Sequence, residues 1–473
     1  MNNMRELNKF MDQNQDLISK ALTTASGVGG ALIPENLEKI ITDTVIRLSP
    51  ELALLEANAE KISGKTHEFN RKTKNPTRGG AMGESATTGT SNSKTTRHTV
   101  ELKIVRRKGK VTNFLNDTSE EYIDAAAYEI ENHIQSHVSD LIYYMLYGNA
   151  LGNTWEFTGL DNMILTNRNN QAEGGAVPTS LSVLDSMISK SNRKGGAKHR
   201  RVFGMTPEML DKFSSLLTNV RLNQGVGGDG LTQVEVGGGW RLNAYRDIPI
   251  IETTACGPIE KLTSTLTVTD VDGITGGALS DGTYYIRVAP MTYEGEQEAS
   301  DEETVVVNGG TATQSIRINL DAVHTTDGED SPLAYKIYAS DTSGDTKLVR
   351  YYSAFTYDSE GAVTGDNGTG TDYLYVHSMT AGSEIATGLQ NDRPLVATGG
   401  VRPEVIYLWD LDPIQGLGKL PYTNRGGSAF GGLVTTKDLA ETDDFISFLI
   451  KSYTALTPSF EKTSVWERGY RTA

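Results

Sequence analysis

One cysteine in 473 residues, Cys256, leaves no partner for an intrachain disulfide, so the fold is held by packing or by association with other copies. Long apolar runs are also missing, and nothing approaches the ~18 apolar residues of a membrane-spanning helix. The opening segment MNNMRELNKFMDQNQDLISK lacks the basic start and apolar centre of a secretion signal, so a cytoplasmic product is expected. Catalytic signatures are scarce. His133 and His137 stand four apart without an HExxH motif or an identifiable third ligand. GVGGDG at 225–230 has the letters of GxGxxG but follows a helix and precedes a strand, the reverse of a dinucleotide loop. GGSAFGG puts Phe430 where a nucleophile elbow needs its second glycine. Cys256 has no signature for a His partner, and Asp270, Asp272, Asp281, Asp327, Glu329 and Asp330 lack EF-hand spacing. These absences predict no enzyme, no cofactor and no metal.

What is present is segregated charge. The net charge is −16, yet residues 61–114 carry 13 Lys+Arg against 3 Asp+Glu, and residues 260–393 carry 7 against 22. A basic stretch in an acidic protein is better suited to docking on an acidic neighbour than to general nucleic-acid binding.

The length predicts two to four domains. Leu7, Phe10, Met11, Leu17, Ile18 and Leu22 have helical spacing, as do Leu37, Ile40, Ile41 and Val45 behind Pro34. Residues 63–112 are polar until Val100, Leu102 and Ile104 alternate, which predicts a two-stranded ribbon with a Gly-rich tip. Arms of about 25 residues would reach up to ~80 Å, beyond their own subunit. Such a polar hairpin needs a surface on another molecule. A long helix is predicted from Thr118, with Glu121 completing a capping box, to Gly148. Its stripe is Ile123, Ala126, Ala127, Ile130, Ile134, Val138, Leu141, Ile142 and Met145, on a rod of about 45 Å. Glu120, Glu121, Asp124, Glu129 and Glu131 oppose that stripe, and Trp155 beyond the Gly-Asn stop is expected to be buried.

Helix and strand patterns from TSLSVLDSMISKSN to WRLNAYRDIPIIET predict an α/β block, with Thr206 capping a helix and its sheet completed by residues 400–430. Between them, six to eight Thr-, Tyr- and Val-rich runs predict an inserted antiparallel sandwich. DGTYYIRVAPMTYEGEQEAS and LAYKIYASDTSGDTKLVRYYS resemble fibronectin type III or immunoglobulin-like strands, and their pairing order stays open.

Gly29, Gly30, Leu32, Ile33 and Pro34, then VIRLSPELALLEANAEKISGKTHEF, the basic ribbon, LYGNALGNTWEFTGLDNMI, and VFGMTPEMLDKF before LNAYRDIPIIET stand in a distinctive order. Over about residues 25–258 and 398–473 that order resembles the major capsid proteins of tailed bacteriophages. The resemblance implies an α+β, Hong Kong 97-type capsid fold. Its parts would be an N-terminal arm (1–60), an extended loop (61–114) and a peripheral domain with a spine helix (115–178 and 431–473). An axial domain (179–259 and 394–430) and the immunoglobulin-like insertion (260–393) would complete it. The implied function is self-assembly into hexamers and pentamers of an icosahedral virion head enclosing double-stranded DNA without sequence-specific binding. A scaffolding protein and a portal are the implied partners, with no membrane, and assembly is expected in the host cytoplasm. Only about 25 residues precede the Gly-Gly pair, so no cleaved scaffolding segment is expected. Some relatives crosslink an extended-loop lysine to a neighbour's asparagine; Lys65, Lys72, Lys74 and Lys94 stand in this loop. The expected inter-subunit residues are Lys65, Arg71, Lys72, Lys74, Arg78, Arg97, Arg106 and Arg107, complemented by Glu120, Glu121 and Asp124. An encapsulin-like cargo compartment and an adhesin or tail protein are the competing readings. Removing residues 260–390 is expected to leave a capsid able to assemble.

Overall fold

The computed structural model describes residues 50–76, 81, 84, 90–119, 124–224, 232–236, 240–257, 266–309, 313–320, 332–359, 363–366, 373–423, 433–439 and 444–473. The expected helices at 4–22 and 37–45, most of the ribbon tip, Arg78, Glu120, Glu121, Ile123, GVGGDG, GGSAFGG and the acids Asp327, Glu329 and Asp330 lie outside the described residues.

The described chain is α+β, organised around three sheet systems. The largest runs β5 (Arg168–Asn170), β24 (Val465–Tyr470), β20 (Glu404–Asp410), β6 (Arg201–Met205), β9 (Ile248–Glu252), β8 (Trp240–Tyr245) and β7 (Thr232–Val236). β20, EVIYLWD, is buried at every position, as befits a strand covered on both faces. On one face Phe203, Met205, Ile250, Ile406 and Leu408 pack under Leu184, Met187, Ile188, Met209, Leu210 and Phe213 of the helices Ser182–Arg193 and Pro207–Gln224. Thr206 accepts from the Met209 amide at 3.3 Å, the expected cap. On the other face Tyr407, Trp409 and Trp466 stack, with Tyr407 and Trp409 centroids 3.6 Å apart. Tyr407 lies opposite Gly204, where an added Cβ would sit 1.8 Å from its ring. That glycine is required by close approach.

A second sheet runs β1 (Ala59–Lys61), β21 (Leu420–Tyr422), β23 (Phe445–Thr454) and β22 (Thr435–Asp438), with β4 (Lys103–Thr112) also paired to β23. The β4–β23 ladder is antiparallel from Thr112↔Phe445 to Lys103↔Thr454. The 431–473 segment therefore divides: β23 joins this sheet, while β24 joins the large sheet beside β20.

The long helix is Ala125–Tyr147, 23 residues or about 34 Å at 1.5 Å per residue. It begins later than Thr118 because Asp124 is the N-cap, its side chain accepting the Ala127 amide at 2.9 Å. Thr118 instead donates to the Phe114 carbonyl at 2.7 Å, in the separate helix Asn113–Ser119. Ile130, Ile134 and Val138 are half-buried, whereas Leu141, Ile142, Tyr143, Met145, Leu146 and Tyr147 are all buried. Six buried residues in seven positions cannot form one stripe. This end of the rod is enclosed all round. Among the described residues no helix is long and apolar enough to cross a membrane.

The region 266–376 forms two facing sheets. One is β10 (Thr267–Val271), β14 (Ser315–Asn319) and β19 (Leu374–Val376). The other is β13 (Glu303–Val307), β11 (Gly282–Thr292), β15 (Ala334–Ser340) and β16 (Lys347–Ser353), with β12 (Gly295–Glu296) folded back on β11. A small hairpin, β17 (Phe355–Tyr357) and β18 (Val363–Asp366), follows. Ile286, Val288, Tyr335, Ile337 and Val349 face Ile316, Ile318, Leu374 and Val376 in a core between the sheets. The alternate residues Ala289, Met291, Ala334, Tyr338, Leu348 and Tyr351 share the main core with the end of the long helix and Tyr407, Trp409 and Trp466. One sheet of the insert is therefore covered by the body.

Candidate assembly surface

β2 (Thr66–Lys74) and β3 (Lys94–Glu101) form an antiparallel ribbon from Thr66↔Glu101 to Lys74↔Lys94. Nine residues at ~3.3 Å give a paired length near 30 Å, shorter than the expected arms because β3 stops at Leu102 and β4 enters the body. The break also reverses the facing of the next strand: Leu102 is buried while Ile104 is 62% exposed. Neither β2 nor β3 has a single buried residue. One face is half-covered and carries His67, Phe69 and His98, with Phe69 and His98 rings 5.6 Å apart. The other face is exposed and carries Glu68, Asn70, Lys72, Thr95 and Arg97, and past the register shift after Lys72 the exposed Lys74 and Lys94 pair at the ribbon's end.

The expected contact residues separate by environment. Lys65 pairs with Glu101 at 2.6 Å, and Arg97 with Glu68 at 3.3 Å, both at the surface. Hydrogen bonds from Lys65 and Lys103 hold the Glu101 carboxyl below its ordinary value. Arg71 bonds the Pro458 carbonyl, tying the ribbon to the body. Arg107 is half-buried and held within the subunit: it binds both Asp140 oxygens and donates to the Tyr293 hydroxyl at 2.7 Å, joining β4, the long helix and the insert. Lys72, Lys74 and Arg106 are exposed and make no ion pair among the described residues. Asp124 caps its helix. Glu129 faces His133 at 3.8 Å, and His137 is buried with Nε2 2.9 Å from Ser452 Oγ. Among the described residues no group of three or more His, Cys, Asp or Glu is arranged to hold a metal ion.

Trp155 is 43% exposed, contrary to expectation. The helix stop is anchored instead by Gly148 and Glu156. A Cβ on Gly148 would meet the Phe157 carbonyl oxygen at 2.4 Å, and Glu156 accepts the Asn149 amide at 2.9 Å and Asn153 Nδ2 at 2.9 Å. Trp155 is left on the outside of that tight loop.

Sequence spacing gave no sign of a buried ionic network between insert and body. Arg168 Nη1 contacts Asp161 at 2.6 Å, and Arg168 Nε contacts Asp392 at 3.1 Å. Lys336 contacts Glu296 at 2.9 Å and Asp161 at 3.4 Å. Arg468 binds Glu296 and donates to the Arg393 carbonyl at 2.7 Å. Three cations thus face three carboxylates, all buried. Burial alone would raise the Asp161 carboxyl, but Arg168 and Lys336 outweigh it and hold it at about 2.

Three other buried acids, Glu51, Glu156 and Glu404, have no cation in an ion pair among the described residues. Burial pushes Glu51, Glu156 and Glu404 up to about 7, and burial pushes His137 down to about 4. Near pH 6 the native chain therefore holds most of three carboxyl protons that the unfolded chain has released. It lacks one that an unfolded histidine takes up. The carboxyl contribution to stability is present below their unfolded value and is lost as pH rises through about 7. The His137 contribution runs the other way and is lost as pH falls from 6.5 through about 4. The three carboxyls outweigh His137, and the smaller downward shifts of His67 and His377 are set against the upward shifts of Glu467 and His199, so the dispersed chain should melt roughly 3 °C or more higher at about pH 5.5 than at about pH 7.5. A flat or inverted profile in scanning calorimetry would contradict this balance.

The family model described as SU10 major capsid protein matches residues 13–243. No curated protein matches the chain. Similar solved structures include the holo-SrpI encapsulin complex from Synechococcus elongatus PCC 7942, at 10% identity and TM-score 0.44, covering 96% of this chain and 98% of that one. The capsid of the native GTA particle has 9% identity and TM-score 0.44, covering 95% and 98%. The capsid of Myoviridae phage XM1 has 6% identity and TM-score 0.44, covering 94% and 100%.

Proposed function

We infer how this chain works from the premise that it is a phage major capsid protein, a shell-building subunit of the head. It self-assembles into hexamers and pentamers of an icosahedral shell enclosing double-stranded DNA. The observation that carries the mechanism is the ribbon without a buried side chain. A two-stranded hairpin of this kind gains little from its own packing, so its free energy is recovered on a neighbouring subunit. The exposed Lys72 and Arg97 of one face, Lys74 and Lys94 at the ribbon's end, and Arg106 dock on an acidic surface of the next copy. Asp124, Glu129 and Glu131 along the long helix supply that surface, with Glu120 and Glu121 preceding them. Arg107 is reassigned from this set to an internal joint.

The peripheral domain is built on the long helix and the β4–β23 sheet. The axial domain is built on the seven-stranded sheet and includes β24. The immunoglobulin-like reading of the insert is supported by its strand order. β13-β11-β15-β16 has the sequence pattern of a C′-C-F-G sheet, and β10-β14 that of a B-E pair. β19, placed beside β14, departs from that pattern. A scaffolding protein and a portal complete the assembly, and the packaged DNA is held without sequence reading, as an acidic chain favours.

Negative-stain microscopy of the expressed chain, alone and with a scaffolding protein, tests this. Closed shells are expected. A chain that stays monomeric in both preparations overturns the reading, and shells holding an enzyme instead of nucleic acid transfer it to a compartment.

A further inference from the structure

A cleft of about 740 Å³ opens where the loop after the long helix meets the insert. Its lining is rich in rings: Trp155, Tyr351, Tyr352, Phe355, Tyr357 and His377. Tyr351 is buried, the next four are half-buried, and Trp155 is 43% exposed. Interleaved with them are the amide of Asn153 and the hydroxyls of Thr356 and Ser383.

The walls are braced before any ligand arrives. Asn153 Oδ1 accepts the Trp155 amide at 3.1 Å, and Asn153 Nδ2 is held by Glu156. Asn149 donates to the Glu384 carbonyl at 3.0 Å, tying the loop to the segment that follows β19. A Cβ on Gly152 would meet the Tyr351 ring at 2.6 Å, so the loop lies directly on that ring. The Tyr352 hydroxyl donates to the Tyr375 carbonyl at 2.7 Å, fixing its ring.

The charges lining the cleft are internally answered. Arg350 lies 3.8 Å from Glu384 and also donates to the Val349 and Thr380 carbonyls. His377 is kept below its ordinary value by burial and by Arg350. Nothing here calls for an ionic ligand. A mixed wall of ring faces and short hydrogen-bonding groups matches a hexose, which has an apolar C–H face and a rim of hydroxyls.

We propose that this cleft binds a neutral oligosaccharide, with Trp155 as the stacking platform at its mouth and Thr356 and Ser383 meeting the sugar hydroxyls. The proposal is separate from shell building: the cleft needs both loop and insert but none of the docking ribbon.

The test titrates the full chain with maltohexaose, cellohexaose and N-acetylchitohexaose by calorimetry and tryptophan fluorescence. Saturable binding of at least one probe is expected. Trp155→Ala should weaken it at least tenfold while leaving the melting temperature unchanged, because the side chain is exposed. Trp155→Phe, which keeps a ring, should retain most of the affinity. Two results overturn the proposal: no saturable binding by any of the three sugars, or binding that Trp155→Ala leaves intact.

Discussion

Deleting residues 66–98 is expected to abolish closed shells and leave a folded subunit. The Leu102 amide donates to the Lys65 carbonyl at 2.9 Å, so the retained Thr99, Val100 and Glu101 have only a short gap to bridge once Lys65 is joined to Thr99. Rejoining the chain there strains nothing in the body. The excised strands hold no buried residue, so little of the subunit's own stability goes with them. What is lost is the half-buried strip of His67, Phe69 and His98, the basic face, and the tie from Arg71 to Pro458. Sedimentation velocity and negative-stain microscopy should find small species where the intact chain gives shells, while circular dichroism and the urea midpoint stay close to those of the intact subunit. Normal particles from the deletion, or a subunit that no longer folds, would refute this division of labour.

The second large effect is expected inside the subunit. Replacing Arg168 by Met leaves Asp161 and Asp392 short of their main cation in a place where both are buried, and such a loss typically costs about 3–5 kcal/mol. Urea unfolding of the dispersed chain measures it. A cost under about 1 kcal/mol would show that water reaches the network. Part of the loss should be recovered in acid, since an unpaired carboxyl takes a proton far more readily than one held at about 2.

The same network changes what excision of residues 260–390 does. Glu296 and Lys336 would go, stranding the Arg468 guanidinium, and Met291, Ala334, Tyr338 and Leu348 would leave the core around the long helix. The insert is structural as well as additional, and its removal is expected to yield an insoluble chain. That replaces the expectation that a shell would still form without it.

Patterns within one element were legible in the sequence. The Thr206 cap, the polar ribbon and the Val- and Tyr-rich strands of the insert each follow from residues close together in the chain. The start of the long helix was misplaced because Thr118 and Asp124 offer the same capping chemistry, and six residues of sequence do not decide between them. Trp155 was misjudged because a bulky ring was given the anchoring role that Gly148 and Glu156 perform through backbone contact. The ionic network was illegible for a different reason. Arg168 and Asp392 are 224 residues apart, and Arg468 and Glu296 are 172 apart, so no local period carries the pairing. A Lys inside the otherwise apolar run LAYKIYA was the one available hint.

The two sets of charges in this chain respond differently to dissolved ions. Lys72 and Lys74 stand in water, where counterions damp any attraction beyond about 8 Å at physiological ionic strength. The three cations and three carboxylates around Arg168 sit out of reach of those counterions. If the proposed docking holds, concentrated salt should loosen the grip between subunits long before it disturbs the fold of any one of them, and a shell taken apart by brine should yield pieces still fit to be reassembled.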